Sequence, residues 1–420
     1  MSDDPQETQE PSRLGEVARL FLKLGLTAFG GPAAHVALME EEVVNRRGWL
    51  DRQHFLDMVS AVNFIPGPNS TELAIHIGLV RAGWKGLIVA GVCFIVPAML
   101  IVLPLAWFYV TYGATPGVGD ALRGIKACMV AIVAVAMWRF AKTGIKDWFT
   151  ASIAIVSFAV SVLLQYFNVP QPELIILGVA SVAGFFWYSR AVASASEGEV
   201  RAVVKNGGKS FKALPMIALP LAAGAGFSGQ LLAMALFFLK VGATLFGSGY
   251  VLASFLHSGL VEQHRWLSEQ QLLDAIAVGQ VTPGPLLTTA TFIGFVLGSR
   301  NFGGGTGGGI LAGVVATTAI FLPSFVFIGL LGSLLPRLRA SPRARGALDG
   351  MNAAVVALIL VVTIWFSRSV MIRAGGEVDV PSLCMFVAAL AVLLLTRINA
   401  TWLILASGAF GIAVHYFPRV

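Results

Sequence analysis

Long apolar stretches alternate with short polar ones along almost the whole chain. A helix crosses a bilayer with about 20 apolar residues, and most of these stretches approach or exceed that length. The pattern therefore predicts an all-α polytopic membrane protein with up to thirteen spans. The stretches lie at 14–39, 55–80, 86–110, 121–141, 150–167, 172–189, 213–229, 231–257, 271–298, 309–335, 347–367, 380–396 and 400–417.

The two halves of the chain repeat one another. FLKLGLTAFGG, which starts at Phe21, matches FLKVGATLFGS, which starts at Phe238, and the register holds without a gap to Thr71 and Thr288. Self-similarity of this kind is the mark of a duplicated architecture. It predicts two homologous six-segment halves, at 14–190 and 231–417. The matched polar and helix-breaking positions are Lys23/Lys240, Trp49/Trp266, Asp57/Asp274 and the PGP triplets at 66–68 and 283–285.

Two parts of the chain lie outside the duplication. The acidic, polar residues 1–13 predict a short disordered tail. Residues 191–230 start with a basic, hydrophilic stretch and end in the apolar segment 213–229, which predicts a cytoplasmic linker and one unpaired extra span. An odd extra span turns the second half over, so we expect the halves to be inverted repeats.

The distribution of Lys and Arg favours the inverted arrangement, because cytoplasmic loops are rich in these residues. With the N-terminus inside, loop 336–346 carries four arginines and falls inside only when the extra span is counted. Loop 40–54 does not fit, since it falls outside although it carries three arginines. A re-entrant hairpin at 55–80 would change the parity of each half, so the number of true spans stays open.

Composition narrows the class of protein. Hydrophobic residues make up 56% of the chain and charged residues 12%, which is about half of the charged share in soluble domains. This excludes an ordinary soluble enzyme, a disordered chain and a DNA-binding domain, because the chain has too few polar residues to form a water-exposed surface. The net charge of +7 then indicates basic cytoplasmic loops rather than a nucleic-acid partner. The cysteines lack metal-site spacing and no enzyme motif is present, so we expect no metal, no cofactor and no catalytic residue.

Each PGP triplet interrupts an apolar segment. Two prolines remove two backbone donors and break the helix, and the helix that follows presents free N–H groups and a positive dipole end. Inside a membrane such a helix start is an anion site, although a plain proline kink is the alternative. We expect the substrate to bind near the midplane between the two breaks. The break residues are Pro66, Gly67, Pro68, Pro283, Gly284 and Pro285, and the expected substrate-binding residues after them are Asn69, Ser70, Thr71, Thr288 and Thr289.

Lys23 and Lys240 are the candidate positive charges of the substrate site. A charged group in a spanning helix usually faces the interior of the bundle and marks a pathway. Lys23 lies about half-way along its segment, so extending its amine to the interface would strain the side chain. A substrate role and a structural ion-pair role both stay open for these lysines.

Glu72 and His76 are candidates for proton coupling. Their spacing of four residues places them on one face of a helix, and an acid beside a histidine can relay protons. The second half has Thr289 where Glu72 would be, so this pair exists in one copy. A buried hydrogen-bonded pair without a transport role is the alternative.

Five more charged residues are repeat-related or clustered. Asp57 and Asp274 either pair with the lysines or cap their segments. Arg123 either pairs with Asp349 at the equivalent position of the other half or joins Lys126 in attracting an anion. Solvation at a helix end is the simpler alternative for the last two basic residues.

FGGP at Phe29–Pro32 and the blocks FIPGPNST and VTPGPLLT resemble the chromate ion transporter family, in its long two-domain form, over about 14–417. The resemblance implies a multi-pass protein of the bacterial inner membrane that exports chromate with the proton motive force and gives chromate resistance. Protons would be the coupling ion, and sulfate would be the competitor of the same shape. In the second half FGGP becomes Phe246-Gly247-Ser248-Gly249, which argues against a strictly symmetric site.

Other functions stay open beside chromate export. One is uptake or exchange of sulfate or another oxyanion, and another is a membrane scaffold that transports nothing. A scaffold would need neither intramembrane lysines nor paired PGP breaks. The lipid bilayer is an expected partner in every case, and formation of a homodimer is left open.

Overall fold

The computed structural model describes residues 13–195 and 226–416, apart from the single positions 114, 168, 248, 333, 374 and 397. The expected tail before Arg13 lies outside this part, as does the stretch 196–225 with most of the expected linker and extra span. The helices of the described part are α1 Arg13–Thr27, α2 Gly31–Glu40, α3 Arg52–Val62, α4 Ser70–Tyr112, α5 Pro116–Gly144, α6 Trp148–Tyr166, α7 Pro172–Ala195, α8 Phe227–Thr244, α9 Leu252–Leu256, α10 Glu269–Val281, α11 Thr289–Val296, α12 Gly305–Leu331, α13 Leu335–Ala340, α14 Pro342–Met371, α15 Val380–Leu395 and α16 Ala400–Tyr416.

The predicted all-α polytopic fold is confirmed. Within the described ranges the only β-pairing is one isolated bridge between Ile372 and Val378. Seven described helices, α4 to α8, α12 and α14, are long and apolar enough to cross a membrane. α15 and α16 are apolar but shorter. Large apolar side chains such as Leu100, Ile155 and Leu330 lie on the outer surface, where lipid replaces water as the solvent.

α1 and α2 form a hairpin with its tip at Gly30. Gly25 packs against the backbone of Phe94, so α1 ends beside the middle of α4. The chain then reverses at Gly30, whose φ of 100° is readily adopted by glycine. A π-helical turn continues α2 back along α1, and its Glu42 lies 2.6 Å from Nζ of Lys23.

α3 and the first arm of α4 form a second hairpin with the PGP triplet at its tip. The helical dihedrals of α4 fail at Ala82 and Gly83, so residues 70–81 are a separate arm. Nδ2 of Asn69 donates to Oδ1 of Asn63 at 2.9 Å and ties the two arms together next to the tip.

The second half repeats both hairpins. Gly242 near the end of α8 packs against the backbone of Ile320, in the middle of α12. A 3₁₀ turn, α9 and a π-helical turn then return as far as Gln263. The second hairpin consists of α10, the PGP triplet and α11. It closes at its base, where Nδ2 of Asn301 donates to the carbonyl of Trp266 at 2.6 Å.

The bases of both hairpins in the first half lie at one end of the bundle. Arg81 at the end of the second hairpin pairs with Glu16 near the start of the first, at 2.7 Å. The Arg81 guanidinium also lies 4.9 Å from the ring centroid of Trp49, which connects the two hairpins. In each of these hairpins the chain therefore starts and ends at the same end of the bundle and does not cross to the other.

Four apolar segments that were counted as spans are corrected by these hairpins, and at 55–80 the re-entrant alternative is the one that forms. The apolar segments 14–39, 55–80, 231–257 and 271–298 each fold back half-way, because glycines or the PGP triplet reverse the chain at their centres. Loop 40–54 is corrected as well, since it lies at the same end of the bundle as the start of α1. Arg46, Arg47 and Arg52, the three arginines that conflicted with the predicted topology, therefore lie at that end.

The halves exchange helices with each other. α6 and α7 of the first half pack on α14 of the second, while α15 and α16 pack on α5 of the first. Small residues allow the backbones to approach closely, as is common between membrane helices. Gly184 faces the carbonyl of Gly346 in one contact, and Gly124 faces the carbonyl of Ser407 in the other.

The repeat-related helices α5 and α14 lie antiparallel against each other. Gly144 at the end of α5 contacts Asn352 near the start of α14. Gln270 bridges the opposite ends, because it bonds both Lys126 near the start of α5 and Ser369 near the end of α14.

Candidate functional site

The two PGP breaks are joined to the opposite half by equivalent hydrogen bonds. The N–H of Gly67 donates to the carbonyl of Leu245 at 2.7 Å, and the N–H of Gly284 donates to the carbonyl of Ala28 at 2.9 Å. Both glycines have positive φ, 143° and 86°. Each PGP tip therefore meets the end of the first helix of the other half, in the middle of the bundle.

The hydroxyl groups after the breaks are buried in the protein. At the second break Thr288 donates to the carbonyl of Pro285 at 2.7 Å, and Thr289 donates to that of Leu286 at 2.8 Å. At the first break the Ser70 hydroxyl lies 3.4 Å from Nδ1 of His35. The predicted substrate-binding hydroxyls of the second break thus hold their own backbone in this conformation, so binding an oxyanion would require them to rotate.

Glu72 occupies the helix start at the first break. Its side chain is fully buried, and Oε1 accepts a hydrogen bond from Ser324 of α12. A Cβ on Gly67 would lie only 1.8 Å from this oxygen, so glycine leaves the room for the carboxyl group. The buried Oε2 has no partner among the described residues. A group of the protein itself therefore occupies the position where a bound anion was expected.

His76, one turn after Glu72, lines a cavity of about 570 Å³. Asp51, His54 and Asp57 line the same cavity. Nδ1 of His76 is buried and has no hydrogen-bond partner in the described part of the chain. The cavity thus groups titratable side chains around His76, which lies one helical turn from the buried carboxyl group.

The matched lysines have different surroundings. Lys23 forms an ion pair with Glu42, whose side chain is 8% exposed. This hydrogen bond, together with that from Arg47, holds the pKa of Glu42 below its ordinary value. Lys240 forms no ion pair with the described residues, although the Glu173 carboxyl group is close enough to interact electrostatically.

The matched aspartates, Asp57 and Asp274, do not pair with the matched lysines, Lys23 and Lys240. Asp274 lies 3.2 Å from Nζ of Lys126 and accepts a hydrogen bond from Tyr109 at 2.9 Å. Asp57 accepts from Gln53 at 3.0 Å.

The ion pair between Arg123 and Asp349, one of the alternatives left open by the sequence, is not formed in this structure. Asp349 pairs with Lys146 at 2.5 Å, and Arg123 lies 3.6 Å from Asp120 on its own helix. Arg123 and Lys126 do line one cavity, of about 400 Å³, together with Arg373.

A cavity of about 580 Å³ next to the FGGP motif was missed in the sequence. Phe29, Gly30 and Pro32 at the tip of the first hairpin line it, and Arg139 of α5 lies opposite. The motif was the available signal, but nothing in the spacing places Arg139 beside it. The cavity is also lined by Thr143, Tyr250, Thr396 and Asn399.

Comparison with known proteins assigns the family. The sequence model described as "Chromate transporter" matches residues 15–185 and again 232–412. The chain belongs to the chromate transporter family. Each match contains one PGP break and both hairpins of its half, so the chromate transporter unit is present twice.

Relatives in this family align over most of the chain. The "Chromate transport protein" of Cupriavidus metallidurans is 30% identical over 91% of this chain and 88% of its own length. The protein of the same name from Pseudomonas aeruginosa is 30% identical over 95% of this chain and 91% of its own. The "Probable chromate transport protein" of Synechococcus elongatus is 29% identical over 84% and 85%. No solved structure matches this chain.

Proposed function

We propose that this protein exports chromate from the cytoplasm across a bacterial inner membrane, driven by the proton motive force, and so confers chromate resistance. The observation that carries the proposal is the chromate transporter match in both halves. The names of the relatives in Cupriavidus and Pseudomonas support the substrate.

The two halves, 14–190 and 231–417, act as inverted repeats that alternate access to a central site. The antiparallel contact of α5 and α14 supports this, because a twofold axis between equivalent antiparallel helices lies in the membrane plane. The paired bonds of Gly67 and Gly284 to the opposite half support the same axis. Rocking of one half against the other would then expose the PGP tips to each side in turn.

The basic end of the bundle faces the cytoplasm. Arginines and lysines from the hairpin bases, the end of α5 and the start of α14 gather there, including Arg81, Lys146 and Arg343. The described chain leaves this end after α7 and resumes with α8 at the other end, where Phe227 meets Phe302.

The substrate passes between the two PGP tips. Lys240, which has no ion pair with the described residues, supplies positive charge there, and Thr288 and Thr289 turn their hydroxyls toward the oxyanion. A buried dianion needs such partners, because an uncompensated charge in a low-dielectric interior is prohibitive.

Glu72 and His76 couple the movement of chromate to protons. The support is the complete burial of Glu72 and the unpartnered Oε2, next to a helical arm on which His76 lines a cavity with His54 and Asp57. A proton reaching Glu72 would change the charge at the first break and so the balance between the two conformations.

Uptake of labelled chromate into everted membrane vesicles tests the proposal. Vesicles with an acidic interior should accumulate chromate, and collapse of the pH gradient should stop the accumulation. Faster uptake of sulfate than of chromate would favour the sulfate alternative. Absence of uptake of either oxyanion above empty-vector vesicles would contradict transport and favour the scaffold.

A further inference from the structure

The cavity at the FGGP motif lies between the two halves. The first half contributes the tip of its first hairpin, at Gly30, and the last turns of α5, with Arg139 and Thr143. The second half contributes Tyr250 from its own first hairpin and Asn399 from the connection of α15 to α16. The cavity therefore reaches from the basic end of the bundle inward to a hairpin tip.

The charge of this cavity is positive. Arg139 is the one ionised side chain among its described lining residues, and no carboxylate lines it. Three other cavities in the described part each contain carboxylates: Asp379 lines one, Glu262 and Glu269 another, and Asp51 and Asp57 the third. The FGGP cavity is thus the one of these four that contains a cation and no carboxylate. The cavity of Asp379 has three cations, but Arg123, Lys126 and Arg373 each form an ion pair with an aspartate.

Arg139 is available to a ligand. Its side chain is exposed, and it forms no hydrogen bond or ion pair with any residue of the described ranges. The guanidinium group presents donors in a fixed fork, which matches two oxygens of one oxyanion. Tyr250 is close enough to interact with it electrostatically. The Asn399 amide also lines the cavity, next to Gly30. A Cβ placed on Gly30 would lie 3.7 Å from Oδ1 of Asn399.

The opposite end of the bundle has a different arrangement at the equivalent position. The repeat register that aligns Ala121 with Ala347 places Trp365 where α5 has Arg139. Trp365 packs on the imidazole of His257, with ring centroids 4.0 Å apart. An aromatic contact takes the place of the Arg139 guanidinium group at this position. The cavity that Trp365 lines does contain Arg368 and Arg373, but Glu262 and Glu269 line it as well.

We propose that the FGGP cavity is the cytoplasmic capture site for a tetrahedral oxyanion dianion, with Arg139 binding two of its oxygens. The Asn399 amide is a donor for a further oxygen. The hydroxyls of Thr143 and Thr396 donate to the carbonyls of Phe140 and Val392 and become donors to the oxyanion once they rotate. The volume of about 580 Å³ lies within the range of small-ligand pockets, about 300–1,000 Å³. The assignment of chromate as the natural ligand rests on the proposed function, but capture of a dianion follows from the cavity alone.

Equilibrium dialysis of labelled chromate and sulfate against the purified protein in lipid nanodiscs tests the site. The wild-type protein should bind saturably, and Arg139→Ala should weaken binding at least about tenfold, as loss of a charge-assisted hydrogen bond requires. Arg139→Lys should be intermediate, because lysine keeps the charge but not the fork. Lys142→Ala is the matched control. It removes a cation from the same helix end, where Lys142 covers Trp138 and does not line the cavity, and it should bind within about twofold of wild type.

Equal binding by Arg139→Ala and wild type, or no saturable binding of either oxyanion by wild type, would overturn the proposal. Should Arg139→Ala fail to fold, modification of Arg139 by phenylglyoxal in the wild-type protein replaces it. Chromate should slow that modification, and an unchanged rate would count against the site. Vesicle uptake separates the two proposals. Arg139-dependent binding without chromate uptake refutes the export function alone, whereas normal uptake with binding unaffected in Arg139→Ala refutes the capture site alone.

Discussion

The two PGP breaks have matching backbones but differ in the groups that lie against them. At each break a glycine with positive φ donates its N–H to the end of the first helix of the other half. At the first break Glu72 places a buried carboxyl group beside that glycine. At the second break Thr289 holds the position, and its hydroxyl donates to a carbonyl of its own turn.

The matched lysines differ in the same way, because only the lysine of the first half has a carboxyl group as its partner. Lys23 is paired with Glu42, whereas the repeat position of Glu42 is Gly259 and Lys240 has no ion pair with the described residues. The first half therefore has a carboxyl group at both places and the second half at neither. The comparison shows that the duplicated halves keep the same backbone geometry at the breaks. Differences at single positions give the first half carboxyl groups that the second half lacks.

The largest expected effect is that of Glu72→Gln on transport. Glutamine has nearly the same size and can still accept from Ser324, but it cannot bind and release a proton. We expect uptake of chromate into everted vesicles to lose its response to a pH gradient while the protein level stays normal.

Glu173→Gln is the matched control for this variant. Glu173 is also a fully buried carboxyl group, and it accepts a hydrogen bond from Ser254 at 3.0 Å. It interacts electrostatically with Lys240, but it does not lie against the glycine of either PGP triplet. It should keep the response to the pH gradient. If Glu72→Gln also kept it, the carboxyl group would have no part in coupling and the breaks would be functionally equivalent.

A double-mutant cycle should separate the two breaks by stability. Gly67→Ala forces out the Glu72 carboxyl group and should lower the free energy of unfolding by about 1–3 kcal/mol. The coupling energy between this substitution and Glu72→Ala should exceed about 0.5 kcal/mol. Gly284→Ala should be destabilising as well, because its Cβ would lie 2.6 Å from that of Ala98. Its coupling to Thr289→Ala should stay within about 0.5 kcal/mol.

Thermal unfolding of the detergent-solubilised variants measures both cycles. Unfolding that is not reversible would be compared through the midpoint shifts at one scan rate. Equal coupling at the two breaks would show that the Glu72 carboxyl group does not distinguish them.

The smallest expected effect is the pH dependence of stability from the Lys23–Glu42 pair. The pKa of Glu42 is lowered in the folded protein, so the stability it contributes is present above the unfolded value of about 4.3. This contribution disappears as the pH falls through the lowered pKa. Because the Lys23 side chain is about half exposed to solvent, the contribution amounts to about 1 kcal/mol or less.

Unfolding midpoints measured between about pH 6 and pH 3 test this difference between the lysines. Lys23→Ala should reduce the loss of stability on acidification, because the hydrogen bond that lowers the pKa is gone. Lys240→Ala should leave that slope unchanged. A change of slope in Lys240→Ala alone would reverse the comparison.

Part of the architecture could be predicted because it depends on local pattern. Apolar length indicated the helices, and the register from Phe21 to Thr71 indicated the duplication. The hairpins were less accessible, because 14–39 and 55–80 have the length and apolarity of a span whether or not the chain reverses inside them. The reversal at Gly30 depends on a backbone dihedral, which hydropathy does not report.

The candidate site was predicted in its motifs but not in its contacts. The PGP triplets and Glu72 stood out in the sequence, yet the partner of Glu72 is Ser324, from the other half of the chain. The pairing of Asp349 with Lys146 rather than Arg123 has the same cause, since it depends on how α14 lies against α5. Arg139 carried no motif of its own and became a candidate only when the fold placed it opposite the FGGP tip.

By itself the sequence determined a helical membrane protein made of two related halves, because apolar length and repeated residues are properties of neighbouring positions. Only the tertiary structure decided which apolar segments fold back and which carboxyl group meets which cation. It also decided that one cavity contains a guanidinium group and no described acid. Those outcomes depend on contacts between residues far apart in the chain, and these form only when the helices of the two halves pack against each other.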